Sequence, residues 1–128
     1  MPRKHSKPHD QRGSATIQTA IIGPALIVVL FICVQTGFWF HARNIAISAA
    51  HEGARVASGY DSSAGQGRDA ATSFATRAGA RTVNVTSVRG TDTTTVTVEV
   101  SAPNLLPWII PIQPIRQVAQ LPTERLTR

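Results

Sequence analysis

The chain has 128 residues and a formal net charge of +6, a length that leaves room for one small domain. The charge is not laid out for a nucleic-acid partner. Arg3, Lys4, Lys7 and Arg12 against Asp10 put half of the excess at the start of the chain, and the other basic residues are spaced singly and offset by acids, whereas a phosphate-tracking surface needs clustered Lys and Arg.

In chain order, residues 1–13 read as a basic cytoplasmic leader. Between Arg12 and Arg43 there is no charged residue, and residues 19–40, TAIIGPALIVVLFICVQTGFWF, are almost wholly apolar. A bilayer core of about 30 Å takes about 20 helical residues. A buried soluble helix of that length would show a polar face, which this run lacks. A transmembrane span over about 19–40 is therefore expected, closed by Trp39 and Phe40 as an interfacial anchor. Cys33, the single cysteine, falls inside this run; it can form no intramolecular disulfide and acts there as a small hydrophobe. The positive bias of the leader places the N-terminus in the cytoplasm and the rest outside. A cleaved signal peptide, with Ser48 and Ala50 before a cut at His51, fits less well, because its apolar core would be too long and is followed by Arg43 and Asn44.

The helix is predicted to continue past the span to Ser58, and over 14–58 it would measure roughly 68 Å at about 1.5 Å per residue. Pro24 removes one backbone hydrogen bond and should bend or loosen its first third. Beyond the span, Ala46, Ala50 and Ala54 form one row of small residues at helical spacing, and Ala49, Gly53 and Ala57 a second. Such rows let another backbone approach closely, although alanine also favours helix by itself.

Residues 59–128 form a small head. Gly59 to Gly67 reads as a loop by composition. A second helix follows, with Ala70, Ala71, Phe74, Ala75 and Ala78 at helical spacing and Gly79 as its stop. Thr82 to Arg89 and Thr93 to Ala102 alternate as strands and are joined by Gly90-Thr91-Asp92 into a hairpin. Pro103 to Pro114 is too rich in proline for a regular interior element, and Ile115 to Leu121 suits a third, edge strand. A head of this size is only marginally stabilised by its own core, which favours an assembly component over a free-standing enzyme.

Catalytic signatures are absent. His5, His9, His41 and His51 show no metal-ligand spacing, His51-Glu52 starts no HExxH motif, and the serines and threonines surround no nucleophile elbow or P-loop. The expectation is a non-enzymatic protein with no cofactor, no metal, no small-molecule substrate and no nucleic-acid partner.

A basic leader ending in Gly13, followed at once by Ser14 and the apolar helix, resembles the processing junction of type IV pilin-like proteins. More closely, RGSATIQTAIIGPALIVVLF and the later AAHEGARVAS look like the TadE-like pilus-assembly proteins, the pseudopilins of the tight-adherence apparatus. The resemblance is specific over Arg12 to Ser58 and weaker across the head. It implies an α+β, pilin-like fold: one long N-terminal transmembrane helix, then a small head with a second short helix and a two- to three-stranded antiparallel sheet. It also implies cutting by a prepilin peptidase between Gly13 and Ser14, and assembly with other pilin-like subunits and a pilus-assembly platform. Gln18, Pro24 and the two small-residue rows are the candidate assembly positions. In one respect the sequence departs from the family, which commonly carries Glu at the fifth position after the cut; that position is Gln18 here. An amide accepts a hydrogen bond from the new N-terminal amine but supplies no counter-charge. The alternative from another class is a bitopic anchor with a binding or sensing head and no polymer.

Overall fold

The structure is a computed structural model that describes residues 11–109 and 111–125. Most of the expected leader, residues 1–10, lies outside the described residues. The elements are α1 (Gln11–Ser58), α2 (Ala64–Arg77), β1 (Val83–Arg89), β2 (Thr93–Val100) and β3 (Ile115–Pro122). The chain divides into two compact units, Met1–Val34 and Gln35–Arg128.

The first unit holds the N-terminal part of α1. Its large apolar side chains are in the open: Ile17, Ile21, Leu26, Ile27 and Leu30 are each more than half exposed. Many of them are β-branched, a poor choice for a helix in water because χ1 is crowded by the preceding turn. In a bilayer the backbone has no water to bond, so intrahelical hydrogen bonds are enforced and the same composition is suitable. The helix starts at Gln11, three residues before the expected Ser14, and it runs without interruption through Pro24.

The second unit packs the remainder of α1 with α2 and a three-stranded sheet. From Ala42 onward α1 buries Ala42, Ile45, Ala46, Ala49, Ala50, Gly53, Ala54 and Ala57, a stripe at three- and four-residue spacing along one face. Opposite it lie Ala71 and Ala75 of α2 and Val96, Val98 and Val100 of β2.

The start of α2 corrects the sequence expectation, which left residues up to Gly67 in a loop. Ser63 and Gln66 form a reciprocal capping box, the Ser63 hydroxyl accepting from the Gln66 backbone N–H at 3.2 Å and the Gln66 side-chain Oε1 from the Ser63 N–H at 3.0 Å. The helix thereby takes in Gly65 and Gly67. Its end is as expected. Gly79, at φ +93, donates to Thr76, and the Ala80 N–H returns to the Ala75 carbonyl, the Schellman arrangement that only a residue comfortable at positive φ closes without strain.

The sheet is antiparallel in the order β1-β2-β3. Its helix-facing rows are Val83-Val100-Ile115, Val85-Val98-Gln117 and Ser87-Val96-Ala119. On the other face Glu99 pairs directly with Arg116, 3.8 Å apart. The α+β layout is therefore the one expected, with β3 at an edge and 103–109 and 111–114 outside regular structure.

Candidate functional site

The residues singled out in the sequence fall into two environments. Gly13, Gln18 and Pro24 are exposed on α1. Gly13 sits within the first turn of that helix, where backbone N–H groups have no intrahelical partner. A side chain added there would meet nothing within 4 Å, and the first turn contains no acidic residue.

The two small-residue rows are in the opposite environment. Ala46, Ala49, Ala54 and Ala57 are fully buried, Ala50 is 1 % exposed, and Gly53 is buried with them. They do let a backbone approach closely, and that backbone belongs to the same chain. A Cβ built on Gly53 would lie 2.8 Å from the Ala71 Cβ and 2.8 Å from the Gly67 carbonyl oxygen. One built on Gly67 would collide with the Ala57 Cβ and stand 2.7 Å from the Gly53 carbonyl. Gly53 and Gly67 thus sit at a contact of α1 with α2 that no side chain could share. Within the second unit the rows are covered by the chain's own head.

The C-terminal end of α1 is closed from within the head. The Arg89 guanidinium, on β1, donates to the carbonyls of Ala57 and Gly59, and the Glu124 N–H donates to Ser58. These bonds answer the last carbonyls of the helix, which have no partner inside it. Sequence reading gave Arg89 no role, because a basic residue at a strand end carries no local sign of a helix end 30 residues away.

The exposed apolar surface of α1 extends to its aromatic boundary. Trp39 and Phe40 are 38 % and 50 % exposed and meet edge to face at 5.1 Å, with the Arg43 guanidinium 6.0 Å from the Trp39 ring. From Ala42 the helix is buried on its inner face. On the outer face the Arg55 guanidinium binds Glu52 at 2.8 Å, and that hydrogen bond holds the Glu52 carboxyl below its ordinary value despite opposing desolvation. The pair is exposed and screened, so it adds little to stability.

A side chain that sequence reading passed over is Gln35. Its Nε2 donates to the Pro103 carbonyl at 2.9 Å and its Oε1 accepts from the Leu105 N–H at 3.0 Å. The signal was available as the one amide between Thr19 and Phe40. A half-open cavity of about 410 Å³ lies nearby, lined by Phe38, His41, Ile45, Arg81 and Val100 among others. Among the described residues no group of three or more His, Cys, Asp or Glu is placed to hold a metal ion.

No curated protein and no solved structure matches the chain. Among the described residues one helix is long and apolar enough to cross a membrane, α1 near the N-terminus. Residues 13–55 match the family model described as TadE-like protein, so this stretch of α1 is similar to that family, and with its one candidate span the chain reads as a single-pass membrane protein.

Proposed function

We propose that the chain is a membrane-anchored minor pilin or pseudopilin that takes part in assembling a Tad/Flp-type pilus, and that it acts by association, without catalysis. The observation that carries this reading is the contrast along α1 inside the TadE-like segment. Side chains up to Phe40 lie open while the stripe from Ala42 is occupied by the chain's own head. The span over about 19–40 is then the surface left for lateral contact with the helices of other pilin-like subunits or of an assembly platform. Packing there relies on van der Waals contact between apolar side chains, since lipid is as apolar as the helix.

Processing by a prepilin peptidase between Gly13 and Ser14 belongs to the same reading. The exposed Gly13 in the first turn of α1 supports it, because the backbone N–H groups of that turn have no intrahelical partner and the bond lies at the helix end. The new amine would face Gln18, an acceptor without charge, so its burial among neighbouring helices is less favourable than it would be beside a carboxylate.

Intact-mass spectrometry of the membrane-extracted protein tests the cut, with a mass beginning at Ser14 expected and a full-length mass excluding it. Gln18→Glu is expected to strengthen co-purification with other pilus subunits. A photo-crosslinking side chain at Leu30 should capture such subunits. Capture of lipid alone would favour the bitopic anchor with a non-polymerising head.

A further inference from the structure

The segment from Val100 to Ile115 carries no charged residue, yet much of it is open: Trp108 is 77 % exposed, Ile109 62 % and Leu105 37 %. Clustered apolar side chains of this size on a small protein mark a surface that something covers. The anchoring of the loop indicates what that is. Gln35 holds it through the Pro103 carbonyl and the Leu105 N–H. Gln35 lies five residues before Phe40, about 7.5 Å along the axis at about 1.5 Å per residue, inside the apolar run. Trp39 in turn shares a shallow cavity with Pro111, Ile112 and Pro114. The loop therefore adjoins the last turns of the span, next to the aromatic side chains that mark its boundary.

Its backbone is suited to that depth. Irregular chain in a low-dielectric layer needs its polar groups answered. Pro103, Pro107, Pro111 and Pro114 have no N–H to satisfy. The Leu105 N–H is taken by Gln35, the Leu106 N–H by the Asn104 side chain at 3.0 Å, and the Ile109 N–H by the Leu106 carbonyl at 3.1 Å.

We propose that the loop residues 103–109 and 111–114 form a second, non-spanning membrane attachment. It lies in the interfacial layer of the leaflet on the head side of the bilayer, with Trp108 and Ile109 among lipid at the boundary of headgroups and acyl chains. The proposal rests on the reading of α1 as a span. Lipid is the occupant rather than a protein because the loop adjoins the span, carries no charged rim and presents a tryptophan at the level where indole rings partition between headgroup and hydrocarbon.

The chain has two tryptophans, so each can be read alone. The full-length protein is reconstituted into phosphatidylethanolamine/phosphatidylglycerol vesicles as Trp39→Phe, leaving Trp108, and as Trp108→Phe, leaving Trp39. For Trp108 the expected result is blue-shifted emission, loss of emission with acyl chains brominated near the headgroup, and protection from aqueous acrylamide. Red-shifted emission open to acrylamide would place the loop in water and overturn the proposal. Protection from acrylamide without quenching by brominated lipid would mean a protein cover, and overturns it equally. Trp39 separates the two readings: quenched by brominated lipid while Trp108 is not, it leaves the span standing and removes the loop; unquenched, it removes both.

Discussion

Gly53 and Gly67 illustrate how little a residue type reveals before its neighbours are known. Both are glycines in helices, where the lost backbone freedom costs about 0.5–1 kcal/mol relative to alanine, so helix propensity alone predicts that Gly53→Ala should stabilise. The close approach reverses the sign. The added methyl would stand 2.8 Å from both the Ala71 Cβ and the Gly67 carbonyl oxygen, and neither of these neighbours is the end of a flexible side chain. Gly53→Ala is expected to destabilise the head by about 1–3 kcal/mol, the cost of overpacking a filled core. Gly65→Ala, whose nearest neighbour would be 3.7 Å away, should be tolerated. Thermal unfolding of the detergent-solubilised full chain, followed by circular dichroism, separates the two; an unchanged midpoint for Gly53→Ala would mean that α1 and α2 part without cost. The same geometry places the effect of Gly53→Leu or Ala50→Leu in folding, with any loss of assembly following from it.

At the scale of elements, the sequence was legible wherever a pattern is local. The period-two valines of β1 and β2, the turn at Gly90-Thr91-Asp92 and the stop at Gly79 are visible in a few residues each. The start of α2 was not, because Ser63-Ala64-Gly65-Gln66-Gly67 has the composition of a loop, and Gly67 is explained only by α1 lying against it. The Ser-x-x-Gln spacing was the available signal. Ser63→Ala removes the acceptor for the Gln66 N–H and is expected to cost about 1 kcal/mol. Faster amide exchange should be confined to the first turn of α2, and exchange spread evenly through the head would show that the cap is not what fixes this end. The partner of the small-residue rows was illegible for a related reason. Spacing shows that a backbone can come near, but whether it belongs to the same chain depends on contacts between α1 and residues of α2 and β2 far along the sequence.

For the whole molecule, hydrophobicity marks the candidate membrane-crossing helix and charge predicts its direction. The start of the chain carries Arg3, Lys4, Lys7 and Arg12 against a single Asp10, while beyond the apolar run Arg43 and Arg55 are balanced by Glu52 and Asp61. Lys and Arg flanking a span are retained on the cytoplasmic side, so the head is expected outside the cytoplasm. On the pilin reading proposed above, this orientation would bring Gly13 to a peptidase acting from within and the head to an external assembly. A cysteine at Ser73, exposed on α2, in a Cys33→Ser background gives one thiol per chain, since Cys33 is the only native cysteine. Treated as intact cells with a membrane-impermeant maleimide, that thiol should react as fully as it does after lysis. Reaction only after lysis would put the head in the cytoplasm and remove the pilin reading with it, because a subunit whose head stays inside cannot contribute to a surface polymer. Reversing the bias supplies the complementary measurement. Lys4→Glu, Lys7→Glu and Arg12→Glu together leave a net negative flank, and a measurable fraction of chains should then lose labelling in intact cells. If the labelled fraction stays unchanged, another part of the chain sets the orientation, and the leader charges are not its cause.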